Sequence, residues 1–91
     1  MKQIIRTQSY RDDLDAIEAF IAQDRPQAGV DMWLHIDDQV QQLADQVFTC
    51  RPGFVTGTVE LVAHPNYIVI LEEDATTITA LNVVHARKKY P

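Results

Sequence analysis

The chain has 91 residues, a mass of 10.4 kDa and a net charge of −5, from thirteen acidic and eight basic side chains. This length predicts one domain over residues 1–91 with a thin core, and the acidic balance argues against broad binding of nucleic acid. The single cysteine excludes an intramolecular disulfide. With no apolar run near the roughly 20 residues of a membrane span, we expect a cytoplasmic protein.

The first elements are a short strand and an amphipathic helix. Ile4 and Ile5 favour a strand over residues 3–6. Ser9 can cap a helix that ends before Pro26. One apolar stripe follows the helical period; it consists of Tyr10, Leu14, Ile17, Phe20 and Ile21.

A second helix is predicted from Pro26 to about Val47, since proline is well tolerated at a first helical position. Its stripe repeats every three or four residues: Gly29, Trp33, Ile36, Val40, Leu43 and Val47. Glycine on the stripe predicts a close approach of the first helix. The polar residues between are interpreted as a solvated face rather than a metal site: Asp31, Asp37, Asp38, Gln41, Gln42 and Asp45.

The last forty residues read as turns and strands. Pro52-Gly53 and Gly57-Thr58 are turn sequences, and Val59–Ala63 is a short strand. A His-Pro-Asn turn at 64–66 leads to a strand at 67–71, an acidic tip at 72–74 and a longer strand at 76–85. The predicted fold class is α+β, in which the first strand joins a three-stranded antiparallel sheet and a helical hairpin covers one face.

No phosphate loop, zinc spacing, nucleophile elbow or paired-carboxylate motif is present in the sequence. Cys50 is interpreted as a free thiol in a loop. His35 is expected on the surface, and His64 is expected to make a structural hydrogen bond in its turn. His85 ends the last strand, so its imidazole could gather with Arg87 and Tyr90 at one end of the sheet.

Several short motifs together carry a family resemblance: RPG at 51–53, GT-x-EL at 57–61, HPNY at 64–67 and HAR-x-x-YP at 85–91. With LDAIEAFIAQD at 14–24, the chain resembles the ParE branch of the RelE/ParE toxin superfamily. The resemblance implies a small α+β toxin of a type II toxin-antitoxin operon. It implies a hetero-oligomer with a cognate antitoxin, contact with operator DNA only through that antitoxin, and no cofactor or metal ion.

The resemblance leaves three hypotheses for activity. The first is a binding-type inhibitor of DNA gyrase, in which Arg51, His85, Arg87 and Tyr90 contact the target. The second is a ribosome-dependent mRNA endonuclease, with His85 or Tyr90 transferring a proton and Arg87 holding phosphate. We favour the first because no Lys or Arg lies between Arg51 and Arg87, whereas phosphoryl transfer needs positive charge.

The third hypothesis is an attenuated or inactive toxin that retains only antitoxin binding. Phe54 and Val59 stand where members of this branch commonly carry arginine. The antitoxin is expected on the two helices and the sheet edge, with Trp33 and Phe48 as aromatic anchors. The alternative for Trp33 is a role as the largest core residue.

Overall fold

A computed structural model describes residues 1–45 and 50–87 and gives one five-stranded sheet with two helices. Its elements in chain order are β1 (Gln3–Arg6), α1 (Gln8–Ala22), α2 (Pro26–Gln42), β2 (Arg51–Pro52), β3 (Thr58–His64), β4 (Tyr67–Glu73) and β5 (Thr77–His85). The strand order is β1-β5-β4-β3-β2. The predicted α+β class is confirmed, with β1 joining parallel to β5 while the other pairs are antiparallel.

Several boundaries differ from those predicted. Among the strands, β3 also includes Thr58 and His64, and β4 continues through Glu72 and Glu73, which the sequence placed in an acidic tip. Helix α1 is capped by Thr7, whose hydroxyl oxygen accepts a hydrogen bond from the Tyr10 amide, so Ser9 lies inside the first turn. Helix α2 ends at Gln42 and turns through residues 43–45, whereas Val47 of the predicted stripe is outside the described residues. Pro52, predicted to form a turn with Gly53, lies instead with Arg51 in the edge strand β2.

The core lies between the helical hairpin and one face of the sheet. Tyr10 and Leu14 of α1 and Ile36 and Val40 of α2 are fully buried, as the helical periods predict. They pack against the side chains of β3, β4 and β5 that face the helices; among these are Leu61, Ala63, Val69, Leu71, Ile78, Ala80 and Val83. The close helix approach at Gly29 is confirmed, because a Cβ there would lie 2.6 Å from the Glu18 carbonyl oxygen.

The prediction that the polar residues of α2 form a solvated face is wrong for Asp37, which is partly buried. Its carboxylate accepts hydrogen bonds from the Arg6 guanidinium at 2.8 and 3.1 Å and from the Tyr10 hydroxyl at 2.9 Å. Burial and the neighbouring Asp37 charge raise the pKa of Tyr10 far above its usual value. A single carboxylate therefore joins β1, α1 and α2.

An irregularity in β5 is held by side chains from the start of α1. Ile70 pairs with Asn82 but Leu71 pairs with Ala80, so Leu81 forms a β-bulge. The Thr7 hydroxyl lies 2.9 Å from the Ala80 carbonyl oxygen, and Asp13 accepts from the Val83 amide at 2.9 Å.

Within the described residues, neither helix is long and apolar enough to cross a membrane.

Candidate functional site

All three histidines of the chain lie in one row with Tyr67 at the end of the sheet where β3 and β5 finish. Ring centroids are 6.1 Å apart for His35 and His64, 5.9 Å for His64 and Tyr67, and 5.4 Å for Tyr67 and His85. The register explains part of this row, because β4 begins at Tyr67, which pairs with both His64 and His85. Helix α2, which packs on β3, supplies His35.

Backbone hydrogen bonds fix the rings of this histidine row. The Asn66 amide donates to Nδ1 of His64 at 3.0 Å, which confirms the structural hydrogen bond expected at that turn. The Arg87 amide donates to Nδ1 of His85 at 3.1 Å. An Nδ1 that accepts leaves the proton of a neutral imidazole on Nε2. Both rings therefore hold the same tautomer.

His35 is exposed, as predicted, but its ring also makes a contact with the sheet. Its Nε2 lies 2.8 Å from the Ala63 carbonyl oxygen, and because a carbonyl can only accept, this nitrogen donates. The side chain thereby ties α2 to β3 and extends the histidine row. Its sequence position gave no signal of this, since Ala63 lies 28 residues further along the chain.

The structure brings together only some of the predicted contact residues. Arg87 lies in the turn that follows β5, and its amide donates to the His85 ring. Arg51 pairs in register with Glu60, four residues or roughly 13 Å along β3 from His64. Tyr90 lies outside the described residues. Of the expected gathering of His85, Arg87 and Tyr90, the structure gives the contact between the Arg87 amide and the His85 ring, and the predicted target contact Arg51 lies elsewhere on the sheet.

The charge of Arg51 is already matched inside the protein. Its Nε lies 2.7 Å from Oε1 of Glu60, whose side chain is almost fully buried. A guanidinium in such a pair is a poor clamp for an incoming phosphate, because binding would leave the buried carboxylate uncompensated.

Among residues 1–45 and 50–87, no cluster of three or more His, Cys, Asp or Glu side chains is placed to hold a metal ion.

A cleft of about 360 Å³ opens at the opposite end of the core, beside the C-terminal end of α2. Leu43, Val59 and Leu71 are among its apolar lining residues, and Cys50 also lies in it. Burial and the charge of Glu73 raise the pKa of the Cys50 thiol. A raised pKa lowers the thiolate fraction, which agrees with the interpretation of Cys50 as a free thiol rather than a nucleophile.

The structure describes one of the two predicted antitoxin anchors. Trp33 is partly buried against the core, and its indole N–H donates to Asp15 at 3.1 Å. It therefore bridges α2 and α1 while keeping part of its ring accessible. Phe48 lies outside the described residues.

Comparison with known proteins identifies the family from sequence. A family model described as "ParE toxin of type II toxin-antitoxin system, parDE" matches residues 4–90. The chain is 32% identical over 78 residues to "Putative toxin Y4kP" of Sinorhizobium fredii, which covers 86% of this chain and 81% of that protein.

Solved structures share the fold at low sequence identity. A chain of the chromosomal ParDE system from P. aeruginosa superposes with a TM-score of 0.80 at 23% identity, covering 93% of this chain and 96% of that one. YafQ from E. coli gives 0.65 at 10% identity with 94% of each chain covered, and a chain of the RelBE2 toxin-antitoxin complex from Mycobacterium tuberculosis gives 0.58 at 18%, covering 92% and 96%. With the family match over nearly its whole length, the chain belongs to the ParE toxins of type II toxin-antitoxin systems, within the RelE/ParE superfamily.

Proposed function

We propose that this toxin arrests growth by binding DNA gyrase in the cytoplasm and that a cognate antitoxin neutralises it. The match to the ParE family over residues 4–90 supports a ParE-type activity. The P. aeruginosa neighbour is named as part of a ParDE toxin-antitoxin system, which supports an antitoxin partner here. In this proposal operator DNA is contacted through the antitoxin.

The observation that carries the proposal is the scarcity of available positive charge on the sheet. No Lys or Arg lies between Arg51 and Arg87, and Arg51 is paired with buried Glu60. Cleavage of RNA needs groups that stabilise the negative charge of the phosphoryl transition state. Inhibition by binding to a protein needs no such group, so the charge distribution favours binding over cleavage.

The direct test is a gyrase supercoiling assay with purified toxin, with and without antitoxin. We expect supercoiling to fall as toxin is added and to recover when antitoxin is added in equal amount. A toxin that arrests growth in cells yet leaves supercoiling unchanged at large excess would remove gyrase as the target.

RNA cleavage is the second candidate, and the histidine row favours it. Imidazoles are common general acids and bases and need no metal ion. To take a proton, either ring would first have to release the backbone hydrogen bond at Nδ1, because Nε2 already carries the proton. His64 and His85 flank Tyr67 at the end of the sheet, and Arg87 follows His85. In this mechanism Arg87 would hold the phosphate, since Arg51 lies apart.

The third candidate, an attenuated toxin, depends on Phe54 and Val59, and these two side chains occupy different environments. Phe54 is exposed on the turn before β3, whereas Val59 packs against the core and lines the cleft. A change at Phe54 therefore alters the exposed turn, whereas a change at Val59 alters the cleft. If the native chain is harmless when expressed and Phe54→Arg with Val59→Arg brings growth arrest, the hypothesis of an attenuated toxin is correct.

A further inference from the structure

Two turns at the end of the sheet, residues 64–66 and 85–87, repeat one arrangement of a histidine side chain. His64 ends β3 and opens the first turn, and His85 ends β5 and opens the second. In each turn the ring Nδ1 accepts from the backbone amide two residues later, at 3.0 Å in the first and 3.1 Å in the second. The imidazole takes the place that the side-chain oxygen of asparagine or aspartate has in an Asx-turn. These segments are called the paired turns below.

The paired turns are also joined to each other. The Asn66 carbonyl accepts from the Ala86 amide at 2.8 Å, and Ala86 is the middle residue of the second turn. Tyr67 lies between the two histidine rings, with ring centroids 5.9 Å from His64 and 5.4 Å from His85. A backbone hydrogen bond and ring packing therefore make one unit of the two turns.

The third ring of the histidine row, His35, is bonded through its other nitrogen. Its Nε2 donates to the Ala63 carbonyl oxygen at 2.8 Å. A proton added at Nδ1 leaves this bond in place, and a charged donor makes a stronger hydrogen bond than a neutral one. The contact between α2 and β3 therefore tolerates a charge on His35.

The acids on the elements around the row are engaged elsewhere. On α2 each acid near His35 has a partner outside the row; these are Asp31, Asp37 and Asp38. On β3 the Glu60 carboxylate is paired with Arg51, and from α1 the Asp13 carboxylate accepts from the Val83 amide of β5. None of the ion pairs among the described residues includes a histidine. A positive charge on the row thus meets the cation of Arg87, the phenol of Tyr67 and the other rings.

We propose that the paired turns form a pH-sensitive switch, closed while His64 and His85 are neutral and opened when these rings take a second proton. Because Nε2 carries the proton of the neutral ring, the second proton enters at Nδ1. It converts the acceptor into a donor that faces the backbone amide, and the turn loses its hydrogen bond.

The direction of the response follows from this geometry. An imidazole changes charge between about pH 8 and pH 5, so the turns are closed in the upper part of this range and open as the pH falls. Acid thereby loosens both turns and frees the Arg87 amide, while His35 keeps α2 bonded to β3. The switch does not depend on which cellular target the toxin binds.

The test is an NMR titration of the full chain from about pH 8 to about pH 5. Ring nitrogen shifts report the charge and tautomer of each histidine, and amide exchange, corrected for its intrinsic pH dependence, reports the turn bonds. The matched variants are His64→Asn and His85→Asn, singly and together. Asparagine can accept from the same amide two residues later but takes no proton.

In the wild type we expect protection of the Asn66 and Arg87 amides to fall at least about fivefold as the rings become charged. In His64→Asn only the Arg87 amide should respond, and in His85→Asn only the Asn66 amide. The Ala86 amide, which joins the turns, should respond in the wild type and in neither turn of the double variant. The Ala63 carbonyl carbon should keep a hydrogen-bonded shift throughout.

The other outcomes overturn the inference. Amides that stay protected while the rings become charged would show that the proton enters without opening the turns, and rings that stay neutral to about pH 5 would show that the switch does not operate. The same amide response in the double variant would assign it to other groups. Circular dichroism at each pH follows the whole fold, and acid unfolding shared by the wild type and the double variant would equally contradict a switch in these two rings.

Discussion

At the scale of single residues, Asp37 connects more of the molecule than any other acidic side chain in the described hairpin. It accepts from Arg6 on β1 and from the fully buried Tyr10 on α1. The Tyr10 side chain is withdrawn from water at this point, whereas the Arg6 guanidinium stays partly exposed and also donates to Gln41. The desolvation of the Tyr10 hydroxyl is offset by its hydrogen bond to the Asp37 carboxylate.

We predict that Asp37→Ala destabilises the fold by about 2–4 kcal/mol, because it leaves the Tyr10 hydroxyl and Arg6 without their shared acceptor. Asp38→Ala is the matched control, since Asp38 is exposed and bonds Gln42 on its own helix. The control should change the free energy of unfolding by less than about 0.5 kcal/mol. Urea denaturation of both variants measures the difference, and equal effects would contradict a special role for Asp37.

The sequence could not distinguish these two neighbouring aspartates. The helical period places both between apolar stripe positions, and their composition alone indicates a solvated face. The partners of Asp37 lie 27 and 31 residues away in the chain. Such contacts depend on the position of β1 against the hairpin. The periodicity of α2 carries no information about that position.

At the scale of elements, the junction between β1 and α1 fixes how both elements lie against β5. Thr7 caps α1 by accepting from the Tyr10 amide, and its hydroxyl lies 2.9 Å from the Ala80 carbonyl oxygen of β5. One side chain therefore ends a strand, begins a helix and supports the bulge at Leu81. The bulge lets β5 continue past the end of β1 with its backbone groups bonded to α1.

We predict that Thr7→Ala lowers the free energy of unfolding by about 1–2 kcal/mol, since it removes the helix cap and the bond to β5. Ser9→Ala tests the cap expected from sequence and should change stability by less than about 0.5 kcal/mol. Thermal and urea unfolding of both variants measure the two effects. A larger loss for Ser9→Ala would contradict the observed cap.

The elements themselves were largely predictable, for local reasons. Apolar periodicity in the helices and turn sequences at Pro52-Gly53 and His64-Pro65-Asn66 depend on neighbouring residues. The parallel pairing of β1 with β5 joins residues 3–6 to residues 77–80. That pairing is set by how the hairpin packs across the sheet, so the sequence indicated that β1 joins the sheet but not where.

At the scale of the whole molecule, the candidate contacts lie at two separate places on the sheet. The histidine row with Arg87 lies where β3 and β5 end, and Arg51 lies in β2 at the edge of the sheet. The sequence predicted a structural hydrogen bond for His64 and placed His85 near Arg87, but it did not predict the row. That row requires β3, β4, β5 and α2 to meet, which no local pattern in the sequence describes.

This separation allows one experiment to distinguish binding from cleavage. Under the gyrase mechanism, His85→Gln should weaken inhibition of supercoiling by about 5–30-fold, the effect of losing one interface contact. His64→Gln should change it less than about twofold, because His64 is not among the predicted target contacts. Neither the wild type nor the variants should produce new mRNA ends in primer extension from induced cells.

Under the cleavage mechanism the same two variants behave differently. Loss of a general acid or base costs about 10²–10⁴-fold in rate, so His64→Gln and His85→Gln should both abolish new mRNA ends that the wild type produces. Thermal midpoints verify that both variants keep their fold, since each ring also packs beside Tyr67. New mRNA ends with the wild type that disappear in both variants would overturn the binding mechanism, because a gyrase inhibitor does not require His64 as a proton-transfer group.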